Sequence, residues 1–257
     1  MPGKSSSKQR LDVALVERGL VESRQKAQAL ILAGHVLVDG QKASKAGASV
    51  KAAAAIELIG PQMPYVSRSG AKLAGALHDF EADPRGRICL DVGCSTGGFT
   101  DCLLQNGAAR VYAVDVTTSQ LAWKLRQDAR VVTIEKNARY LKAGDLPEPV
   151  DLIVADLSFI SVTKVLPALV PLARAGAVWL ILIKPQFELN RKDVGKGGIV
   201  RDASLHRKAI ERVEAAATAS GLRILGVKPS QLTGAEGNQE FFLHAQSPSA
   251  ARVRGVV

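Results

Sequence analysis

The segment LDVGCSTGGFTD, residues 90–101, decides the fold, because an apolar run ends there in a glycine-rich turn that opens a helix. Three glycines of this turn permit a sharp bend and a close approach of the backbone to a ligand. They are Gly93, Gly97 and Gly98. Asp115 ends the next apolar run, 24 positions after Asp91, where a carboxylate can accept hydrogen bonds from ribose hydroxyls. The pattern predicts that this turn binds a nucleoside cofactor. The alternative is that the glycines only allow the chain to turn from a strand into a helix.

Outward from this turn, the chain alternates strand-like and helix-like patterns from residue 86 onward. Strands are predicted at RICLDVG (87–93), ARVYAVDV (109–116), RVVTIEK (130–136), VDLIVADL (150–157) and AVWLILIK (177–184). Helical stretches between them favour an α/β fold with a parallel, doubly wound sheet. LRILGVKPSQL (222–232) and QEFFLHAQ (239–246) are predicted to form a final strand pair. Ligands of such sheets bind beyond the carboxyl ends of the strands.

The form of the loop narrows the choice of cofactor. A dinucleotide-binding GxGxxG loop would have glycine at the position of Ser95 and would place a diphosphate at the helix terminus. The DxGxxxGG form with a downstream acid instead resembles the S-adenosylmethionine loop of class I (Rossmann-like) methyltransferases. The resemblance implies S-adenosyl-L-methionine as the cofactor, with Asn137 beside the adenine edge or, alternatively, serving only as a loop cap. The implied cofactor-binding residues are Asp91, Gly93, Ser95, Thr96, Gly97, Gly98, Asp115, Val116, Asn137 and Asp156.

The composition favours a polyanionic partner. Lysine and arginine outnumber aspartate and glutamate by 34 to 24, which gives a net charge of +10. The polar start MPGKSSSKQR lacks a signal-like apolar region, and the longest apolar run, AVWLILI, is far shorter than the ~20 residues of a membrane span, so we expect a cytoplasmic protein. The three cysteines lack metal-ligand spacing, so we expect neither a metal site nor a disulfide framework.

The first 60 residues have the pattern of a small α+β module. RLDVALVERG and SRQKAQALILAG predict two short helices that stop at glycine, and HVLVDGQ predicts a hairpin that turns at Asp39-Gly40. The segment resembles the RNA-binding module first recognised in ribosomal protein S-four, which implies a basic face that docks on folded RNA; the alternative is a merely solvated charged face. The candidate RNA-binding residues are Arg10, Arg18, Arg24, Lys26, Lys42 and, after the module, Arg68.

Composition and pattern together predict the boundaries of five segments. They are a disordered basic tail (1–9), the RNA-binding domain (10–60), a linker (61–67), the methyltransferase domain (68–247) and a C-terminal tail (248–257).

Four charged residues are predicted to meet above the sheet. Lys72 precedes the first strand of the large domain, Asp156 ends the fourth, Lys184 ends the fifth and Glu240 begins the last. Each alone is an ordinary strand-end charge. Together they suit methyl transfer to a ribose 2′-hydroxyl, whose proton must be taken by a neutral amine held within hydrogen-bond reach. Lys184 is the predicted base, with the carboxylates orienting the amines.

This Lys-Asp-Lys-Glu set is similar to that of FtsJ-like ribose 2′-O-methyltransferases. The segments YVSRSGAKL, DVGCSTGGFTD, DLSFIS, IKPQFE, VGKGGIVRD and GNQEFF, behind the S-four-like module, resemble the TlyA family, also called the haemolysin A family. Ser69 stands where the resemblance places a glycine. The resemblance implies methylation of cytidine 2′-hydroxyls in ribosomal RNA or a ribosomal subunit, with S-adenosylhomocysteine released.

Three other functions compete with this hypothesis. A non-catalytic RNA-binding or ribosome assembly factor would keep the fold, and the family's second name suggests a membrane-acting haemolysin. A methyltransferase for base amines would commonly carry an Asn/Asp-Pro-Pro-aromatic motif after the fourth strand, where this chain has DLSF.

Overall fold

A computed structural model of the chain describes residues 8–21, 23–59, 64–234 and 236–249, without the side chains of Lys26 and Lys196. The chain divides into two compact units between residues 63 and 64. Residues 1–7 of the predicted tail, residues 61–63 of the predicted linker and residues 250–257 therefore lie outside the described residues.

The described residues of the first unit form two helices and five short strands. In chain order these are β1 (Lys8–Arg10), α1 (Leu11–Glu17), α2 (Arg24–Leu32), β2 (Val36–Val38), β3 (Gln41–Lys42), β4 (Ser49–Lys51) and β5 (Ile56–Leu58). β1 pairs with β4, and β2 lies between β3 and β5, all antiparallel. The apolar sides of both helices meet β2 in one core around Leu15, Ile31 and Val36. Lys8 and Gln9 belong to β1 and not to a disordered tail, because β4 supplies a strand partner that lies about 40 residues away in sequence.

The predicted hairpin turn is present between β2 and β3. Asp39 and Gly40 both have positive φ, 50° and 78°, the conformation that a two-residue turn of the primed type requires. The Asp39 carboxylate also accepts a hydrogen bond from the backbone N–H of Ala55 (2.8 Å), which joins the turn to the segment before β5.

The second unit is a seven-stranded sheet covered by helices. Its elements are α3 (Arg68–Asp79), β6 (Ile88–Val92), α4 (Gly98–Gln105), β7 (Arg110–Asp115), α5 (Trp123–Arg126), β8 (Val131–Glu135), β9 (Val150–Ala155), α6 (Leu166–Leu169), β10 (Ala173–Ile183), α7 (Pro185–Glu188), α8 (Ala203–Ala219), β11 (Arg223–Pro229) and β12 (Phe241–Gln246). Single 3-10 turns lie among them.

The sheet order is β11-β12-β10-β9-β6-β7-β8, and β12 runs in the opposite direction to the other six strands. Both faces are covered by apolar clusters, which explains the continuous apolar runs of the central strands. The predicted α/β fold with a mostly parallel sheet is confirmed, and the predicted final strand pair is present and antiparallel. β10 begins at Ala173, four residues before the predicted start, where its register with β9 is interrupted between Ala173 and Val178.

Two further features bear on function. No helix within the described residues is both long and apolar enough to cross a bilayer. Within those same residues, no cluster of histidine, cysteine, aspartate and glutamate has the arrangement of a metal site. Cys89, Cys94 and Cys102 are free, buried thiols, and burial raises the pKa of each.

Candidate active site

The glycine-rich loop between β6 and α4 is shaped by left-handed backbone. Gly93 has φ 85°, and a Cβ there would lie 2.4 Å from the carbonyl oxygen of Asp156, so only glycine fits. Gly97 has φ 95°, and its Cβ would meet the Leu121 and Leu125 side chains. Ser95, at the position where the dinucleotide motif has glycine, also has a positive φ of 47°. The loop therefore keeps the backbone course of a glycine-rich turn while presenting a hydroxyl.

Asp115, at the end of β7, is tied to this loop. Its Oδ2 accepts a hydrogen bond from the Ser95 backbone N–H (2.9 Å), and the carboxylate remains half-buried at the rim of the sheet. Val116, the next residue, is 64% exposed. Asn137 accepts a hydrogen bond from the Arg139 backbone N–H (3.0 Å), so it does cap its loop, and its side chain is exposed.

Asp91 lies beneath the loop and is fully buried. The Thr100 hydroxyl donates to its Oδ2 at 2.6 Å, whereas Oδ1 has no hydrogen-bond partner among the described residues. Burial, reinforced by the nearby carboxylates of Asp156 and Asp115, raises the pKa of Asp91 to about 7. The side chain thus contacts the interior of the loop and not the solvent-facing surface.

A cavity of about 200 Å³ opens above the loop. Gly93, Ser95 and Thr96 form one side, and Asp156 and Lys184 form another. Ser67 and Ser69, joined by a hydroxyl–hydroxyl bond of 2.8 Å, complete its wall. A Cβ at Gly98 would lie 2.0 Å from the Ser69 hydroxyl oxygen. The serine that replaces the expected glycine therefore faces the cavity and packs directly against the start of α4.

The register of the sheet gathers the four charged residues. Ile183 pairs with Phe241 across β10 and β12, which places Lys184 and Glu240 side by side just beyond the paired ends. Asp156 directly follows β9, the parallel neighbour of β10. Lys72 reaches the same edge from α3. Sheet register therefore positions three of these residues, and helix packing positions the fourth.

The four residues form two ion pairs. Lys184 Nζ lies 2.5 Å from Asp156 Oδ1 and donates a hydrogen bond to the Ser158 hydroxyl at 3.0 Å. Lys72 Nζ lies 2.6 Å from Glu240 Oε2. Both lysines are buried, with 8% and 9% of the residue surface exposed. Buried ammonium groups need such partners, because an unpaired buried charge is strongly destabilising.

Two residues of the DLSF segment were not singled out from the sequence. Ser158 is the hydrogen-bond partner of Lys184, and Phe159 is 92% exposed with a positive φ of 64°. An exposed aromatic residue in left-handed backbone is unusual, and such strain is concentrated at functional sites. The available sequence signal was an aromatic residue in a loop that directly follows a strand of the parallel sheet.

The candidate RNA-binding cations of the first unit differ in their surroundings. Buried Asp12 accepts hydrogen bonds from Arg10 (3.0 Å) and Arg24 (3.1 Å), and the Arg10 bond in particular holds its pKa well below the usual range. Arg18 donates to the carbonyl oxygens of Ala54 and Ala52. Asp12 was not singled out from the sequence, because an acidic residue in the first turn of a helix is common and does not by itself indicate a buried partner for arginines.

The remaining candidate cations are less constrained. Lys42 is exposed on β3, and Arg68 is exposed at the start of α3. The side chain of Lys26 lies outside the described part of the chain.

Comparison with known proteins gives matches along both units. The FtsJ-like methyltransferase family matches residues 65–247, and the S4 domain family matches residues 9–56. The chain is 46% identical to the Mycobacterium tuberculosis protein named "16S/23S rRNA (cytidine-2'-O)-methyltransferase TlyA", over 96% of this chain and 94% of that protein. It is 43% identical to "Hemolysin A" of Brachyspira hyodysenteriae, over 91% and 98% of the two chains. A solved structure from Streptococcus thermophilus, whose name places it among the hemolysins, aligns with a TM-score of 0.73 at 40% identity and covers 97% and 93%.

Proposed function

This chain belongs to the FtsJ-like methyltransferase family, and from that premise we propose that it methylates the ribose 2′-hydroxyl of a cytidine in ribosomal RNA. The observation that carries the proposal is the pair of lysine–carboxylate contacts at the carboxyl edge of the sheet, next to the glycine-rich loop. The similarity to the TlyA protein supports the choice of cytidine and of ribosomal RNA.

The residues around the loop fit S-adenosyl-L-methionine, which supplies an electrophilic methyl group. Left-handed Gly93 and Gly97 let the backbone of the loop pack closely against Asp156 and the leucines beneath it, which fixes the shape of the turn beside the cavity. The half-buried Asp115 carboxylate is suited to accept hydrogen bonds from two ribose hydroxyls. Val116 offers an exposed apolar surface to an adenine ring. Ser95, Thr96, Asn137 and Asp156 would complete the cofactor-binding set, with Asp91, Gly97 and Gly98 supporting it from below.

Lys184 is the residue that would take the proton of the 2′-hydroxyl, after the ammonium group that pairs with Asp156 has released a proton to solvent and become a neutral amine. Its Nζ is anchored by Asp156 and Ser158, so the amine is held at the mouth of the cavity instead of sampling solvent. A base fixed in this way saves the cost of orienting it during the reaction. The Lys72–Glu240 pair would maintain a second positive charge beside it and would hold the other wall of the site.

RNA would be bound by the basic surface of the first unit and by Arg68. Asp12 holds Arg10 and Arg24 in fixed positions, which lowers the entropy lost when their remaining N–H groups meet phosphates. Near the catalytic residues, the exposed ring of Phe159 offers a stacking surface for an unpaired base.

The test is methyl transfer to ribosomal subunits purified from cells that lack this protein. Pure protein and tritium-labelled S-adenosylmethionine should give labelled RNA, and mapping of 2′-O-methyl groups should place the label on a cytidine ribose. Absence of RNA label, or label on a base, would refute the proposal. A red-cell lysis assay on the same sample tests the haemolysin alternative independently.

A further inference from the structure

A second cavity, of about 650 Å³, lies beside the candidate active site. Its walls come from the loops that follow β9 and β10, from the turn after β8 and from α8. The volume is within the range of small-ligand pockets, roughly 300–1,000 Å³. Phe159 borders this cavity, and Ser158, the residue before it, is the hydrogen-bond partner of Lys184. The cavity is therefore adjacent to the reacting group.

The lining combines apolar and cationic side chains. Ile160, Phe187 and Leu189 supply apolar surface, and the Phe187 ring packs 5.4 Å from that of Phe159. Four cations surround them, and no lining residue is acidic. They are Arg139, Lys164, Arg191 and Arg212. None of the first three forms an ion pair within the described ranges, so their charges are free to meet an anion; the Arg139 guanidinium lies 5.9 Å from the centroid of the Tyr140 ring.

Gln186 adds an unsatisfied acceptor. It lines the cavity, and its Oε1 is buried without a hydrogen-bond donor among the residues that the structure describes. Because this oxygen has no accessible surface, a donor on a ligand can reach it only after the Gln186 side chain turns toward the cavity, and such a turn would end the cost of leaving a buried polar atom unpaired. The N–H groups on the edge of a nucleobase are donors of this kind.

The two principal walls are fixed to each other. Glu188, at the end of α7, accepts hydrogen bonds from the Ser161 hydroxyl (2.5 Å) and from the Val162 backbone N–H (2.8 Å). Arg212 of α8 donates to the Glu188 carbonyl oxygen at 2.6 Å. These buried contacts connect the loop after β9 with the loop after β10, so the cavity is preformed.

We propose that this cavity binds an unpaired nucleotide of the RNA substrate next to the one that is methylated. Its base would lie against Phe187 and, once the Gln186 side chain has turned toward the cavity, would donate an N–H group to Gln186, while its phosphate would meet Lys164 and Arg191. An aromatic wall with cations and no carboxylate is the chemistry that binds single-stranded RNA. The proposal rests on the proposed function, since it takes the methylated nucleotide to lie at Lys184.

The test compares a double variant, Lys164→Ala with Arg191→Ala, against Lys208→Ala. Lys208 is an exposed cation paired with Asp193 at 2.9 Å and lies outside the cavity lining, so it controls for loss of positive charge. With ribosomal RNA from cells lacking the protein, the double variant should raise the KM for RNA about tenfold or more and leave S-adenosylmethionine affinity unchanged. A KM no higher than that of the control would overturn the proposal.

Gln186→Leu gives a readout that a purely structural role would not produce. Leucine removes the orphaned oxygen, so the melting temperature should rise while the KM for RNA also rises. A raised melting temperature with unchanged KM would contradict the assignment of Gln186.

Photo-crosslinking separates this proposal from the proposed function. Ribosomal RNA transcribed with 4-thiouridine should crosslink to the peptide that contains Phe187 whether or not methyl transfer is detected. Crosslinks at Phe187 without transfer would refute the methyltransferase assignment and support RNA in the cavity. Transfer without any crosslink to that peptide would refute the cavity assignment alone.

Discussion

Replacing Asp91 with asparagine should change the free energy of unfolding of the methyltransferase unit in a pH-dependent way. The difference between the variant and the parent should shift in favour of the variant as the pH rises from acidic to alkaline. The Asp91 pKa is raised from 3.8 to about 7, chiefly by burial. Below the unfolded value of 3.8 the carboxyl is neutral in both the folded and unfolded states, so it carries no penalty. As the pH rises toward the folded value the unfolded chain ionises first, and the folded state loses stability. The penalty approaches about 4 kcal/mol above the folded pKa, at about 1.4 kcal/mol per pKa unit.

The asparagine variant removes this penalty but leaves an amide N–H₂ group at the position of Oδ1, where the described residues offer no partner. That group costs roughly 1–3 kcal/mol at every pH. The pH-dependent part of the difference is therefore the diagnostic quantity. Between about pH 5 and about pH 8, the stability of Asp91→Asn relative to the parent should increase by about 2–3 kcal/mol.

Urea unfolding followed by tryptophan fluorescence measures this difference in the free energy of unfolding, and it reports on the methyltransferase unit. The chain has two tryptophans, Trp123 and Trp179, and both belong to the second unit. Asp128→Asn is the matched control, because a hydrogen bond from Arg130 lowers the Asp128 pKa. The Asp128 contribution is fully present above its unfolded pKa of 3.8 and is lost only as the pH falls toward the folded value, so between about pH 5 and about pH 8 its removal should cause a loss of stability that does not change with pH. A pH-independent difference for Asp91→Asn would refute the argument.

Three further variants test the remaining assignments. Lys184→Arg keeps the charge but cannot act as a neutral base, so single-turnover methylation should fall by about 10²-fold or more; a loss of less than about tenfold would exclude the base role. Asp115→Ala should weaken S-adenosylmethionine binding by roughly 2 kcal/mol in calorimetry without unfolding the domain, and unchanged affinity would remove Asp115 from the site. Arg18→Ala should lower the melting temperature of the first unit through its lost carbonyl contacts, whereas Lys42→Ala should lower only RNA affinity, most strongly at low salt. If Arg18→Ala and Lys42→Ala changed the melting temperature equally and the RNA affinity equally, the assignment of Arg18 to stability and of Lys42 to RNA binding would be wrong.

Local signals account for the features that the sequence predicted. The central strands were recognisable because burial on both faces demands continuous apolar runs. The glycine-rich loop and the Asp39-Gly40 turn were recognisable because positive φ restricts the choice of residue. In each case the physical reason for the structure acts within a few consecutive residues, so the sequence of those residues is enough to predict it. Strand-end positions also indicated that Asp156 and Lys184 share one edge of the sheet, since parallel strands end together.

Pairings between distant segments could not be predicted in the same way. Lys72 contacts Glu240 across 168 positions, and the sequence alone gives no reason to pair Lys72 with Glu240 instead of Asp156. β1 exists only because β4 lies beside it, so three polar residues gave no strand pattern of their own. The cavity around Phe187 is assembled from four separate segments of the chain. These features depend on tertiary packing, which fixes side-chain partners after the local elements have formed.

The energetic cost of the charged cluster is itself an argument for function. Lys72, Glu240, Lys184 and Asp156 are buried or nearly so, and their attraction offsets a desolvation cost of several kcal/mol for each ion. Apolar residues of similar volume are often as stabilising as such pairs, or more so. Phe159 adds backbone strain on the same strand-end loop, and Gln186 adds an orphaned oxygen after the neighbouring strand. Three different local penalties at one edge of one sheet are expected where binding and proton transfer require them, because folding alone would favour their removal.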